Sequence, residues 1–379
     1  MMIKMVKLCL PDIGKEEIEK VAEVINSKWL AHGNYNKEFE EKFAKYIGVK
    51  YAVTLNSCTS AIQLALESQN IAKEVILPSF TFVASANAII KAGAKPIFVD
   101  VEYETGNLDP DKIEEAITKN TQAIMPVHYA GQVCDMKRII KIAEKNNLLV
   151  IEDSAETIGG THHGRQAGSF STACFSFFPT KNIAIGEGGI LTTNDEEIAK
   201  TVKALSGHGI SKHTLEREKQ DKNWYRDAYI PGYNYRMPHL SAAIGLIQLE
   251  KLEEMNEKRR KTAELYRKEL NSLNNIDLPV EKENNKHVYQ MYVIKLKNSK
   301  AERRDRLVQK LREKDIEASV HFSPPVHLQT YYKGRFNHKK LSMTEKLADC
   351  SVTLPMYSSM LGEDTLKVID ALKVSLKEI

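Results

Sequence analysis

The sequence predicts an α/β protein, with a mostly parallel seven-stranded sheet between helices and a smaller α+β unit after it. Three observations carry that expectation. Short apolar runs bounded by turn residues alternate with helix-period segments from about residue 15 to 250, which is the pattern of strands joined by helical crossovers. Near residue 238 the alternation gives way to one long amphipathic stretch, and only a few strand-like and helical segments follow it. With 379 residues and 42% hydrophobic residues, the chain is long enough for two units with their own cores. The expected division is 1–250 for the large unit and 251–379 for the small one.

Residues 15–28 (KEEIEKVAEVINSK) and 37–47 (KEFEEKFAKYI) open the chain with apolar positions at helical spacing. Seven strand-like runs follow: YAVTL at 51–55, EVILP at 74–78, PIFVD at 96–100, AIMPV at 123–127, LLVIED at 148–153, ACFSFF at 173–178 and GGILTT at 188–193. Helical patterns at 59–68, 110–117 and 136–146 separate several of them. Residues 208–230 are polar and aperiodic and read as a long loop or lid. Residues 238–271 predict one connecting helix. After it come KHVYQMYVIKL (286–296), a helix near 301–314, IEASVHF (316–322) and a terminal helix near 363–377, which together read as a tail with a small sheet.

The bulk numbers narrow the function. A net charge of +4 spread along the whole chain lacks the basic arm or stripe of a nucleic-acid binder. Five cysteines without a CxxC pair argue against a disulfide framework or a zinc site and fit a reducing cytoplasm. The N-terminal MMIKMVKLCLPDIG is too soon interrupted for a signal peptide. No apolar run approaches the ~20 residues of a membrane helix. The expectation is a cytoplasmic protein without nucleic-acid, membrane or metal partners.

Three segments carry chemistry. In CFSFFPTKNIAIGEGG (174–189) a lysine follows an apolar strand and a Pro-Thr turn. Lys181 is therefore placed to be desolvated into a nucleophilic amine, although an isolated lysine in a turn is usually a surface one. In LLVIEDSAE an apolar strand ends in Glu152-Asp153, and ligands of open α/β sheets sit at the carboxyl ends of strands. An acid there can pair with a protonated pyridine nitrogen, or it can simply cap the next turn. In NSCTSA (56–61) small hydroxyl residues open a helix, where backbone N–H groups and the helix dipole suit a phosphate, as they suit ordinary capping. Together the three read as phosphate cradle, pyridinium acid and amine, the layout of a fold-type-I pyridoxal-phosphate (PLP) transferase.

With these residues in view, the chain resembles the DegT/DnrJ/EryC1/StrS sugar aminotransferases. The resemblance runs from PDIGKEEI through WLAHGNYNKEFEEKFAKYIGVKYAVTLNSCTSA, PSFTFVASANAI, PVHYAGQVCDM, IEDSAETIGG, FSFFPTKNIAIGEGG and GYNYRMPHLSAAIGLIQLE to VHFSPPVHLQTYY. It implies that Lys181 is the Schiff-base lysine and proton carrier, and that Asp153 pairs with the pyridine nitrogen. It further implies that Ser57, Cys58 and Ser176 hold the phosphate and that Phe82 stacks on the ring. Glu156 would lie near the 3-oxygen, and Asn234 would reach the cofactor of a second subunit in a homodimer with shared sites. Cys58 stands where Gly is common, Phe178 where His is, and Glu156 where Gln is. A subgroup with His in place of the lysine performs dehydration, so Lys181 favours transamination.

The implied reaction is ping-pong. L-glutamate leaves its amine on PLP, giving pyridoxamine 5′-phosphate, and a nucleotide-linked keto-sugar then takes it. The texture is similar to perosamine synthases, which suggests a 4-keto-6-deoxy sugar. His208, Trp224, Tyr225, Arg226, His321 and His327 are the candidate substrate contacts. His128 reads as a packing residue. Two alternatives stay open: an aminotransferase for a cyclic ketone without a nucleotide, such as an inosose, and a non-catalytic regulator of the same fold.

Overall fold

The computed structural model describes residues 5–210, 224, 226–336 and 340–379. Two helices, α1 (Lys15–Ser27) and α2 (Asn34–Ile47), precede the sheet. The chain then runs through β1 (Tyr51–Leu55), α3 (Cys58–Ser68), β2 (Glu74–Pro78), α4 (Val83–Lys91) and β3 (Lys95–Val99). It continues with α5 (Pro110–Ile113), β4 (Thr121–Ile124), α6 (Met136–Lys145), β5 (Leu149–Asp153), the short β6 (Thr161–His162) and β7 (Arg165–Gln166), β8 (Thr172–Ser176), β9 (Gly189–Thr193) and α7 (Glu196–Ser206). The central sheet has the order β1-β9-β8-β5-β4-β2-β3. β3, β2, β4, β5 and β8 run parallel, and β9 is antiparallel to both β8 and β1. The seven strands are the seven read from the sequence, trimmed or shifted by a few residues at their ends. The sequence pattern does not reveal helix α4, whose small residues Ala84, Ser85, Ala86 and Ala88 give little contrast between its faces.

The pleat sends successive residues to opposite faces, and the core shows it. On one face Val75, Leu77, Ile151, Cys174 and Leu191 pack with α3, α4 and α7. On the other, Ile76, Ile124 and Val150 meet α6, while Ala173, Phe175 and Ile190 meet α2 and the long helix α8 (His239–Leu270). Strands covered on both faces read as continuous apolar runs, which is why EVILP is buried throughout. Phe43 of α2 sits between Phe175 and Phe177, with ring centroids at 5.1 and 5.7 Å.

The tail forms a second, antiparallel sheet of β10 (Ile276–Asp277), β12 (Tyr292–Leu296) and β13 (Ser351–Leu354). β11 (Asn285–Lys286) instead joins β6 and β7. Helices α9 (Ala301–Glu313), α10 (Ser342–Cys350) and α11 (Gly362–Glu378) complete this part. Its core gathers Tyr266, Tyr292, Leu307, Val352 and Leu372. IEASVHF makes only the isolated bridges Val6–Ile316 and Ser319–Thr353, so the small sheet takes its third strand from Ser351–Leu354. The 250/251 division falls inside α8, whose Leu246 packs against the large sheet and whose Tyr266 packs in the tail core. No helix among the described residues is long and apolar enough to cross a membrane.

Phe43 is fully buried, so Phe43→Ala should remove about 3–5 kcal/mol of stability, read as a lower denaturant midpoint. A loss below about 1 kcal/mol would mean that the aromatic cluster does not bind α2 to the sheet.

Candidate active site

The strand ends converge on one cavity of about 630 Å³. Its first contributor is β5. Asp153 has the parity of Ile151 and faces α3 and α4, whereas Glu152 faces the opposite side. Glu152 is fully buried and accepts from the backbone N–H groups of Gly168, Phe170 and Ser171 at 2.8–3.0 Å. His128 lies 3.0 Å from it through Nε2. Gly168 has φ +83°, and a Cβ there would come within 2.2 Å of Phe175, so only glycine presents that N–H to Glu152. His128 is accordingly a packing residue, as its sequence context suggested.

Asp153 is 4% exposed. The Ser85 hydroxyl donates to its Oδ2 at 2.7 Å, and the Ala155 N–H to its Oδ1 at 3.2 Å. Burial pushes the carboxyl up from its ordinary range, and these two donors pull it partly back. A cationic partner inside the cavity would favour the ionised form. Ser85 lay in a helix that the sequence did not reveal, so nothing there pointed to it.

At the end of β1, Ser57 caps α3. Its Oγ accepts from the Ser60 N–H at 3.1 Å. The Cys58 side chain is buried among apolar neighbours of α3, and burial raises its thiol well above the usual range. A Cβ on Gly189 would lie 2.4 Å from the backbone of Ser57 and Cys58; β9 thus passes directly beneath the helix start because residue 189 has no side chain.

After β8 the Phe178–Lys181 turn closes with the Lys181 N–H donating to the Phe178 carbonyl at 2.8 Å, with proline at its second position. Lys181 Nζ projects into the cavity, 3.2 Å from Glu156 Oε1, with side chains 15% and 8% exposed. The far wall comes from distant sequence: Cys9, Gln290, His321 and Phe322. His321 Nδ1 lies 2.9 Å from Thr353 Oγ1, and burial holds its imidazole below the ordinary range.

Of the residues singled out from the sequence, Ser57, Cys58, Phe82, Asp153, Glu156, Ser176, Lys181 and His321 line this cavity. The others do not. Asn234 is exposed and bridges to Gly207 beyond the cavity. His208, Trp224 and Arg226 are exposed elsewhere, and Tyr225 lies outside the described residues. His327 is 1% exposed, and its Nδ1 lies 2.7 Å from Ser79 Oγ; it clamps its segment to the end of β2. Sequence reasoning missed Ser85, Gln290 and Cys9. The last two reach the cavity only through long-range folding.

The residues fit PLP. Phe82 leaves a ring 60% exposed on the cavity wall, 6.2 Å from Phe322, a face suited to stacking on an aromatic ligand. The Gln290 Oε1 in the same wall is buried without a hydrogen-bond partner. Asp153 would hold the ring-nitrogen proton. Ser57, Ser176 and the α3 N-terminus would hold the phosphate.

Comparison with known proteins agrees. The model of the DegT/DnrJ/EryC1/StrS aminotransferase family matches residues 11–373. The chain is 40% identical over 375 residues to the spore coat polysaccharide biosynthesis protein SpsC of Bacillus subtilis, covering 97% of this chain and 96% of that one. It is 37% identical over 372 residues to the GDP-perosamine synthase of Caulobacter vibrioides, covering 97% of each. PseC of Helicobacter pylori, an aminotransferase involved in the biosynthesis of pseudoaminic acid, superposes with a TM-score of 0.93 at 27% identity. That match covers 99% of this chain and 100% of PseC. The chain belongs to the DegT/DnrJ/EryC1/StrS aminotransferase family and is a PLP-dependent aminotransferase.

Proposed function

We propose that this chain transfers the amino group of L-glutamate to a nucleotide-linked keto-sugar, a 4-keto-6-deoxy sugar in the first instance, by a ping-pong reaction. One observation supports this above the rest: Lys181, Asp153 and the Ser57 helix start face a single cavity large enough for a cofactor and part of a substrate. The likeness to a GDP-perosamine synthase along nearly the full length of both chains supports the sugar class.

When bound, PLP supplies an electron sink and the carbon that carries nitrogen between donor and acceptor. The chain's own groups do the rest. Lys181 Nζ is the amine of the cavity wall and moves the proton at the substrate carbon. Asp153 keeps the ring nitrogen protonated, and the Ser85 hydroxyl fixes the orientation of its carboxylate. Phe82 covers one ring face. Because one lysine serves both half-reactions, donor and acceptor occupy the same cavity in turn.

A homodimer with shared sites completes the proposal. Among the described residues, the lining includes the acids Asp153, Glu156 and Glu187 but Lys181 as its one Lys or Arg. Both proposed substrates are anions, which calls for cations from outside this wall. Asn234, exposed and outside the lining of its own cavity, is the residue we assign to the site of the second copy.

Three outcomes test this reading. Lys181→Ala should take up PLP yet show no turnover, followed by absorbance and by product assay; turnover near the native rate removes Lys181 from its role. Asp153→Asn should fold normally and lose on the order of 10²–10³ in rate, and a change under about threefold would reassign the acid. In a melting panel, a nucleoside diphosphate at ~100 times its Kd should add about 2.7 kcal/mol of stability. If uridine, guanosine and thymidine diphosphates all leave the melting temperature unchanged, a nucleotide-free cyclic ketone becomes the better acceptor.

A further inference from the structure

Glu156 occupies a position whose geometry dictates the character of the atom facing Lys181. Its Oε2 accepts the Ala130 N–H at 2.9 Å, and its Oε1 lies 3.2 Å from Lys181 Nζ. The backbone donor is fixed, because Ala130 belongs to a tight turn with φ +57° whose carbonyl accepts from the Met291 N–H. Whatever side chain stands at 156 must therefore give its accepting oxygen to Ala130 and its other head atom to the lysine.

For a carboxylate that second atom is an anionic acceptor, which matches an ammonium with donors only. For a glutamine it would be an NH₂ group. Donor would then face donor if the lysine were charged, and the pairing would work only with the lone pair of a neutral amine.

We propose that Glu156 is the positioning residue of the free Lys181 amine, its Oε1 tethering Nζ to the fixed Ala130 turn between the steps that use the amine. This rests on Lys181 being the PLP lysine. The other titratable groups around Nζ do not replace Glu156. Asp153 shares its carboxylate with Ser85 and Ala155. Burial holds the His321 imidazole below its ordinary range, and its Nδ1 is engaged by Thr353. Cys9 and Cys58 are thiols whose burial pushes them up. Tyr129 gives its hydroxyl proton to the His321 carbonyl at 2.6 Å, and Glu187 stands in the cavity wall as a strongly exposed residue. Of these acids, Glu156 is the one paired with Lys181 at ion-pair distance.

The test uses the cofactor-free protein, trinitrobenzenesulfonate as the probe of neutral amines, and peptide mass spectrometry to read labelling at Lys181 alone. Glu156→Gln should label at least about tenfold faster than the native chain at pH 7.5, because the amine no longer spends its donors on a carboxylate. Glu156→Asp, which keeps the charge, should fall back toward the native rate. Glu156→Ala reads the same quantity if the glutamine variant does not fold. Equal or slower labelling in the glutamine and alanine variants overturns the proposal. Prior addition of PLP should protect Lys181 in the native chain; if it does not, the cofactor assignment to Lys181 fails instead, so the two failures are distinguishable.

Discussion

The site depends on one constraint of strand geometry. β5 ends in two adjacent carboxylates, and the pleat must send them to opposite faces of the sheet. Glu152 goes to the side of His128 and the Gly168–Ser171 turn, where three backbone N–H groups satisfy it. A buried carboxylate is tolerated only with such a full set of donors. By meeting that demand, Glu152 fixes the strand end and the approach to β8 together. Asp153 is then held at a set depth on the other face, and Lys181 follows in the turn beyond β8, the neighbouring strand. The placement of the acid is thus a property of the sheet, and that of the amine depends also on the Phe178–Lys181 turn.

The cavity wall repeats this economy. Ser85 orients Asp153 from α4, Glu156 meets Lys181 from the turn just beyond β5, and Ser57 opens α3 above Gly189. Each of these groups lies at an element terminus that packing has already fixed. Rigid placement of this kind gives preorganised electrostatics without reorganisation during reaction. The exposed ring of Phe82 is the exception, an apolar surface that packing within the chain leaves uncovered.

Much of this was legible in the sequence, because doubly covered strands must be continuously apolar and their ends must carry the polar residues. EVILP, LLVIED and ACFSFF announced themselves in this way. The antiparallel insertion of β9 between β1 and β8 was not legible, since periodicity carries no direction. Nor was the role of Ser85, whose helix VASANAIIK shows little amphipathic contrast. Gln290 and Cys9 enter the cavity from segments 100 or more residues away from Lys181, and no local pattern records such a meeting. His327 shows the reverse error: a histidine in a promising motif spends its ring nitrogen on Ser79.

The departures from the family pattern make physical sense by position. Cys58 replaces a common glycine, yet the close backbone approach beneath the helix start is made possible by Gly189, whose missing side chain lets β9 pass. The Cys58 side chain is turned into the apolar layer of α3, so its backbone N–H remains available to an anion. Phe178 replaces a common histidine and stands 43% exposed on the cavity wall, which removes a titratable group from beside the lysine. Glu156 adds one. Both changes move the local charge toward the anionic side, and the direct partner of Glu156 is Lys181.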